Sequence, residues 1–172
     1  MSLLLMLTRP AATALVGLFA GGTLFLVLAP SLSRLPAAAY VPYWQALNRD
    51  YGRAMPPLLL GALVLLLVTS ALSYRRGALV LGLGVAATVL VVAVIVLTVT
   101  QLEPLNRLAD TWTADRQPAD WADIRRQWWS LHIVRTVLAV MAFAALLVAS
   151  SVDRDGTTDP ARAAASPQIG RA

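Results

Sequence analysis

His132 and Arg135 are the side chains of this sequence best placed to do chemistry. They stand three residues apart, so on a helix they share a face, and Trp128 lies one turn before His132 on the same side. The stretch 128–135, WWSLHIVR, sits where a polar, tryptophan-rich segment runs into the last long apolar run, and it holds the only histidine of the chain. An ionisable pair at the mouth of a membrane helix is a functional candidate by default. Plainer roles compete with that one. An arginine at the bilayer centre costs about 2.5–3.5 kcal/mol on insertion scales, but Arg135 is about one turn inside its apolar run and can snorkel as an interface anchor. Glu103 and Arg135 also suit a structural ion pair. A single histidine rules out a haem held by two histidines. His132 has no HxxH or ExxH partner and the loop aspartates show no ligand spacing, so no metal site is expected. The absence of cysteine excludes a disulfide framework, thiol catalysis and the CxxC-dependent membrane oxidoreductases.

The elements that must position this pair are set by composition. Of 172 residues, 58% are hydrophobic and 13% charged, and the mean hydropathy is +0.68. A water-soluble chain of this length cannot hide so much apolar surface, so the expectation is an all-α membrane protein. The net charge of +5 is carried by 14 basic residues, all arginine. Most flank apolar runs, which fits topology signals and headgroup contacts and points away from nucleic acid.

Four runs are long enough to cross the bilayer core at 1.5 Å per residue, at about 10–29, 56–73, 78–99 and 129–149. The expected fold is a four-transmembrane-helix bundle over 1–150, with two longer loops on one side and a disordered polar tail over 151–172. The first run is longer than a signal-peptide core and starts with little positive charge, so it is expected to be retained despite the cleavage-like Pro36–Ala39. Gly17 and Gly21 form a GxxxG, and Ala78, Gly82 and Ala86 a small-residue ridge, both suited to close helix packing; a homo-oligomer is compatible with them. Pro56-Pro57 opens the second span in this reading, where missing N–H groups cost nothing. In the first loop Tyr40, Trp44, Asn48 and Tyr51 recur on one helical face, as in an interfacial helix. In the second, Pro118 breaks the chain before a charged helix over 120–127 that continues into the fourth span.

Four spans put both termini and the Arg75-Arg76 turn on one side. That turn is the clearest positive-inside signal, so the termini are expected in the cytoplasm of a cell-membrane protein. Gln45, Asn48, Gln101, Glu103, Asn106, His132 and Arg135 all fall on the opposite, long-loop side. One polar pocket at that mouth of the bundle, with apolar walls, would make a ligand site.

Gln45-Ala-Leu-Asn48 in the first loop, Pro104-Leu105-Asn106 after the third span and Trp129-Ser-Leu-His132-Ile-Val-Arg135 opening the fourth resemble the anthrone oxygenase-like family of small membrane proteins, over about residues 10–150. The patterns are Q-x-x-N, P-x-N and W-x-x-H-x-x-R; Trp128 and the arginine-rich tail are departures that leave them untouched. The resemblance implies oxidation of an anthrone to an anthraquinone by O2, with no metal or flavin required. His132 would then be the base, its ordinary pKa lying near working pH. Arg135, Asn106 and Asn48 would hold the oxyanion and peroxide, and Trp44 and Trp129 would stack on the flat substrate, with Gln45 among the binding groups. The expected partner is a hydrophobic aromatic small molecule. The rival reading is a non-enzymatic membrane module that binds a quinone or lipid or supports a membrane partner. A small transporter fits less well, because no span carries a charge near its middle.

Overall fold

The computed structural model describes residues 3–158. Helix α1 covers Leu3–Val27 and α2 covers Ala37–Leu72; α3, Ala78–Leu97, passes through a π-helical segment, Thr98–Leu102, into the short α4, Glu103–Ala109; α5 covers Trp121–Thr158. Four helices are long and apolar enough to cross a membrane, α3, the π segment and α4 counting as one. In hydrocarbon an unpaired backbone group is costly, so apolar runs become helices whatever their propensity. The β-branched run from Val91 obeys this and is helical through Leu97.

The spans run up and down as a bundle in which α1 packs on α2 and α5, and α3 packs on the same two. Its centre is filled by small and medium side chains, among them Ala12, Val16, Phe19, Leu66, Ala87, Val91 and Ala142. Leu18, Leu60, Val64, Leu67, Val89 and Val137 point outward, fully apolar. Such a surface suits lipid and would aggregate in water. At Gly17 of α1 the Phe143 ring of α5 leaves no room for a side chain: a Cβ built there meets it at 2.7 Å. Gly21 faces open space. The Ala78–Gly82–Ala86 ridge is exposed on the outside of the bundle, and a Cβ built at Gly82 meets nothing within 4 Å; a close approach to α3 is made instead at Gly84, against Ser70 of α2.

α2 is one helix of 36 residues, about 54 Å long at 1.5 Å per residue, so its first half stands beyond the span expected for it. Pro56 and Pro57 lie in its interior. They do not start the helix, which runs through them, and the carbonyls of Gly52 and Arg53 lose their usual i+4 donors. α5 is similarly long. It starts after Pro118, as the sequence indicates, and continues through Thr158 into the stretch expected to be a polar tail. Residues 159–172 of that tail lie outside the described residues. The protruding halves of α2 and α5, with α4, bury a second cluster of Tyr40, Trp44, Leu102, Trp112 and Trp128. Arg125 fastens it, stacking 4.5 Å from the Trp121 ring and donating to the Leu35 carbonyl at 2.9 Å.

At the other end, a five-residue link joins α2 to α3, and Gly77 closes it at φ +118°, a conformation that penalises any Cβ. Arg9 of α1 pairs with Asp153 of α5 at 2.6 Å. Arg9 also donates to Ser73 Oγ at 3.3 Å, and Arg76 lies 3.7 Å from the same carboxylate. This polar staple joins all three chain segments at the terminal end.

Candidate functional site

Beneath the aromatic cluster lies a cavity of about 520 Å³ to which all four spans contribute wall residues. That volume is in the usual range for small-molecule sites. α1 supplies Phe19, Thr23 and Leu26; α2 supplies Trp44, Asn48, Tyr51, Met55 and Leu59; the α3–α4 span gives Ile95, Thr98, Glu103 and Asn106; and α5 gives Trp128, His132 and Arg135. The wall is mainly apolar, with its polar groups at the loop end.

His132 is 1% exposed. Trp128 lies parallel to its ring, 5.1 Å away and inclined by 11°, while Trp129 meets it edge-on at 6.0 Å. Arg135 Nη2 is 2.7 Å from His132 Nδ1, and His132 Nε2 is 3.0 Å from the Thr23 carbonyl. A guanidinium can only donate and a carbonyl can only accept. Nδ1 is therefore the acceptor, and Nε2 carries the proton and donates it to Thr23. These two partners assign the tautomer, and both ring nitrogens are occupied.

Arg135 has no carboxylate within ion-pair distance among the described residues, and its Nε has no hydrogen-bond partner there. Glu103 does not pair with it: the Glu103 carboxylate takes Arg107 one turn on, at 3.0 Å. Among the described residues the half-buried guanidinium thus faces an apolar-walled space with one neutral protein acceptor, an unusual state for a cation in such surroundings.

Asn106 is held as firmly. Its Oδ1 accepts from Trp44 Nε1 at 3.0 Å and from Trp128 Nε1 at 2.8 Å. Indole N–H groups only donate, so this fixes the amide orientation and leaves the Nδ2 group for the cavity that Asn106 lines. Trp128, a departure from the family pattern expected to leave the motifs untouched, in fact touches two of them: it bonds Asn106 and stacks on His132.

Of the residues singled out in the sequence, Trp44, Asn48, Glu103, Asn106, His132 and Arg135 come together on this cavity. Gln45, Gln101 and Trp129 do not line it. Gln45 Nε2 donates to the carbonyls of Ala109 and Trp112, both at 2.9 Å, and so closes the C-terminal end of α4, where carbonyls lack helical partners. Asn48 Nδ2 donates to Asp110 at 2.8 Å, and its side chain still borders the cavity. Sequence reasoning missed Thr23, whose contribution is a backbone carbonyl and leaves no residue signature. It also missed Phe19 and Met55, which read simply as apolar. Among the described residues no three His, Cys, Asp or Glu side chains gather as a metal-ligand set.

No match is found among curated proteins, and none among solved structures. A family model described as "Anthrone oxygenase" matches residues 43–145. The matched stretch takes in Trp44, Leu102, Trp112 and Trp128 of the aromatic cluster, the Asn106 clasp and the His132–Arg135 pair, and it exceeds half of the chain. On that coverage, the chain belongs to the anthrone oxygenase family.

Proposed function

We propose that this protein is a membrane oxygenase that oxidises a flat, anthrone-type phenolic compound with O2. The observation that carries the reading is Arg135: a half-buried guanidinium, unpaired with any acid among the described residues and with its Nε buried without a partner, beside a neutral imidazole on the wall of an apolar cavity. Such a cation is suited to an oxygen that becomes negative only during reaction. Removing the acidic C–H proton of an anthrone sends its electron pair into the ring system and places the charge on the carbonyl oxygen across the ring. Arg135 holds that oxyanion, and the Asn106 Nδ2 group supplies a second donor. The anion passes one electron to O2, and the resulting radical and superoxide join at the deprotonated carbon. The protonated hydroperoxide then loses water to give the second carbonyl. Anthrone plus O2 gives anthraquinone plus water, in balance.

The geometry adds a condition to the role of His132. Its Nδ1 lone pair is covered by Arg135, so it becomes a base only when the substrate oxygen draws the guanidinium away. Ligand binding would unmask the base. The same covered state supports the second reading, a ligand-binding module in which His132 only orients Arg135. In both, the partner is a hydrophobic aromatic molecule or a lipid taken from the membrane; the Arg75-Arg76 link supports cytoplasmic termini.

Oxygen uptake by the purified protein in detergent with a simple anthrone tests the choice. We expect uptake above background in the wild type, loss of at least a hundredfold in His132→Ala, and a raised KM with reduced kcat in Arg135→Gln. Full activity in His132→Ala would refute the base assignment. Anthrone binding without uptake would favour the binding module.

A further inference from the structure

The cavity wall contains five exposed residues, and all of them lie on α2 or at the end of α3. Arg49, Gly52, Pro56 and Leu60 follow one another along α2 at spacings of three and four, and Val99 faces them from the π segment. Leu60 is 56% exposed and Val99 63%, yet both border the cavity. Wall residues from α1 and α5 are buried or half-buried. The cavity therefore reaches the outside of the bundle along one seam. From Arg49 to Leu60 that seam runs about 16 Å at 1.5 Å per residue, from the headgroup level into hydrocarbon.

Both edges of the seam are interrupted helix. On α2, Pro56 and Pro57 remove two successive hydrogen-bond donors. On the facing edge, regular helix gives way at Thr98 to the π segment, a form found mostly as local irregularity at functional sites. α2 and α3 are tied together at the far end, by their short link and the Gly84–Ser70 approach. On the loop side the cavity is covered by mutually packed indoles, Trp44 lying 5.8 Å from Trp112 and 5.4 Å from Trp128.

We infer that the seam between α2 and the π end of α3 is a lateral portal, through which a planar apolar ligand carrying one oxygen-bearing edge passes from the bilayer into the cavity. The rings travel along Leu60 and Val99, and the polar edge meets Arg135 and Asn106. A compound of this kind dissolves in lipid far better than in water, so a side opening reaches its reservoir directly. Only the identity of the ligand rests on the proposed oxygenase reading; the route rests on the wall.

The test reads access without reading turnover. The chain contains no cysteine, so Thr23→Cys places a single, nearly isosteric thiol on the buried α1 wall opposite the seam. The full-length variant in phosphatidylcholine vesicles is treated with an uncharged benzyl methanethiosulfonate or with the anionic sulfonatoethyl reagent, each rate being normalised to a free thiol. We expect the uncharged reagent to label at least tenfold faster. Adding Leu60→Trp and Val99→Trp should slow it at least tenfold, whereas Leu79→Trp, on the lipid face away from the seam, should leave it unchanged. If the double tryptophan variant does not fold, Val99→Trp alone should give an intermediate slowing. Equal labelling by the anionic reagent, no effect of filling the seam, or no labelling by either reagent would each overturn the portal. An inactive oxygenase with this labelling pattern would refute the reaction and leave the route standing.

Discussion

Replacing Asn106 by leucine should reverse the sign of a second mutation. In the wild type one amide oxygen accepts from two buried indoles, Trp44 at 3.0 Å and Trp128 at 2.8 Å. Leucine keeps the volume and excludes water but strands both N–H groups, each at about 1–3 kcal/mol. After the apolar gain of the leucine, a net loss of about 3 kcal/mol is expected. Trp128→Phe alone removes one bond while Asn106 still serves Trp44, and should cost about 1 kcal/mol. In the Asn106→Leu background the same change deletes a stranded donor, so the double variant should lie only about 2 kcal/mol below wild type. The coupling is therefore about 2 kcal/mol and favourable. Reversible unfolding in mixed detergent micelles, followed by near-ultraviolet circular dichroism, measures all four corners. Additivity within about 0.5 kcal/mol would refute the bridging role of Asn106.

Two further outcomes follow from packing and charge. Gly17→Ala drives a Cβ into the Phe143 ring, 2.7 Å away, and should cost about 1–3 kcal/mol; Phe143→Leu should restore most of it, and Gly21→Ala, in open space, should be tolerated, all read as shifts in melting temperature. Asp153→Asn removes the anion that Arg9 meets at 2.6 Å and Arg76 at 3.7 Å, for a loss of about 3 kcal/mol. Arg9→Met with Asp153→Leu should recover part of that loss in the same assay, because no uncompensated charge is left.

The four spans were legible because hydrocarbon imposes a length and a polarity on each segment, and little else satisfies both. The His132–Arg135 face was legible from three-residue spacing alone. The aromatic face of the first loop was also visible, though not its continuity with the second span, since Pro56-Pro57 reads locally as a start. Neighbouring helices can hold a chain through two prolines, and that support is invisible in one dimension. Gln45 looked like a pocket residue because its type suits one, but the frayed end of α4 claims its donors. The Ala78–Gly82–Ala86 ridge shows a related limit: spacing tells which residues share a face, not which way the face turns. Asp153 sat in a stretch whose composition resembles a tail, and only the fold reveals two arginines waiting for it.

That staple has a bearing on biogenesis. Arg9 and Asp153 are separated by 144 positions, so the cation leaves the ribosome near the start of synthesis and its counter-charge near the end. Until α5 is inserted, Arg9 and Arg76 share one end of an unfinished bundle with no acid between them. Those two cations have no acid at that end of the chain to meet before then. Asp153 then supplies one carboxylate to both, at 2.6 Å from Arg9 and 3.7 Å from Arg76. The contact can therefore form only after the last helix, the one that carries His132 and Arg135, has been made.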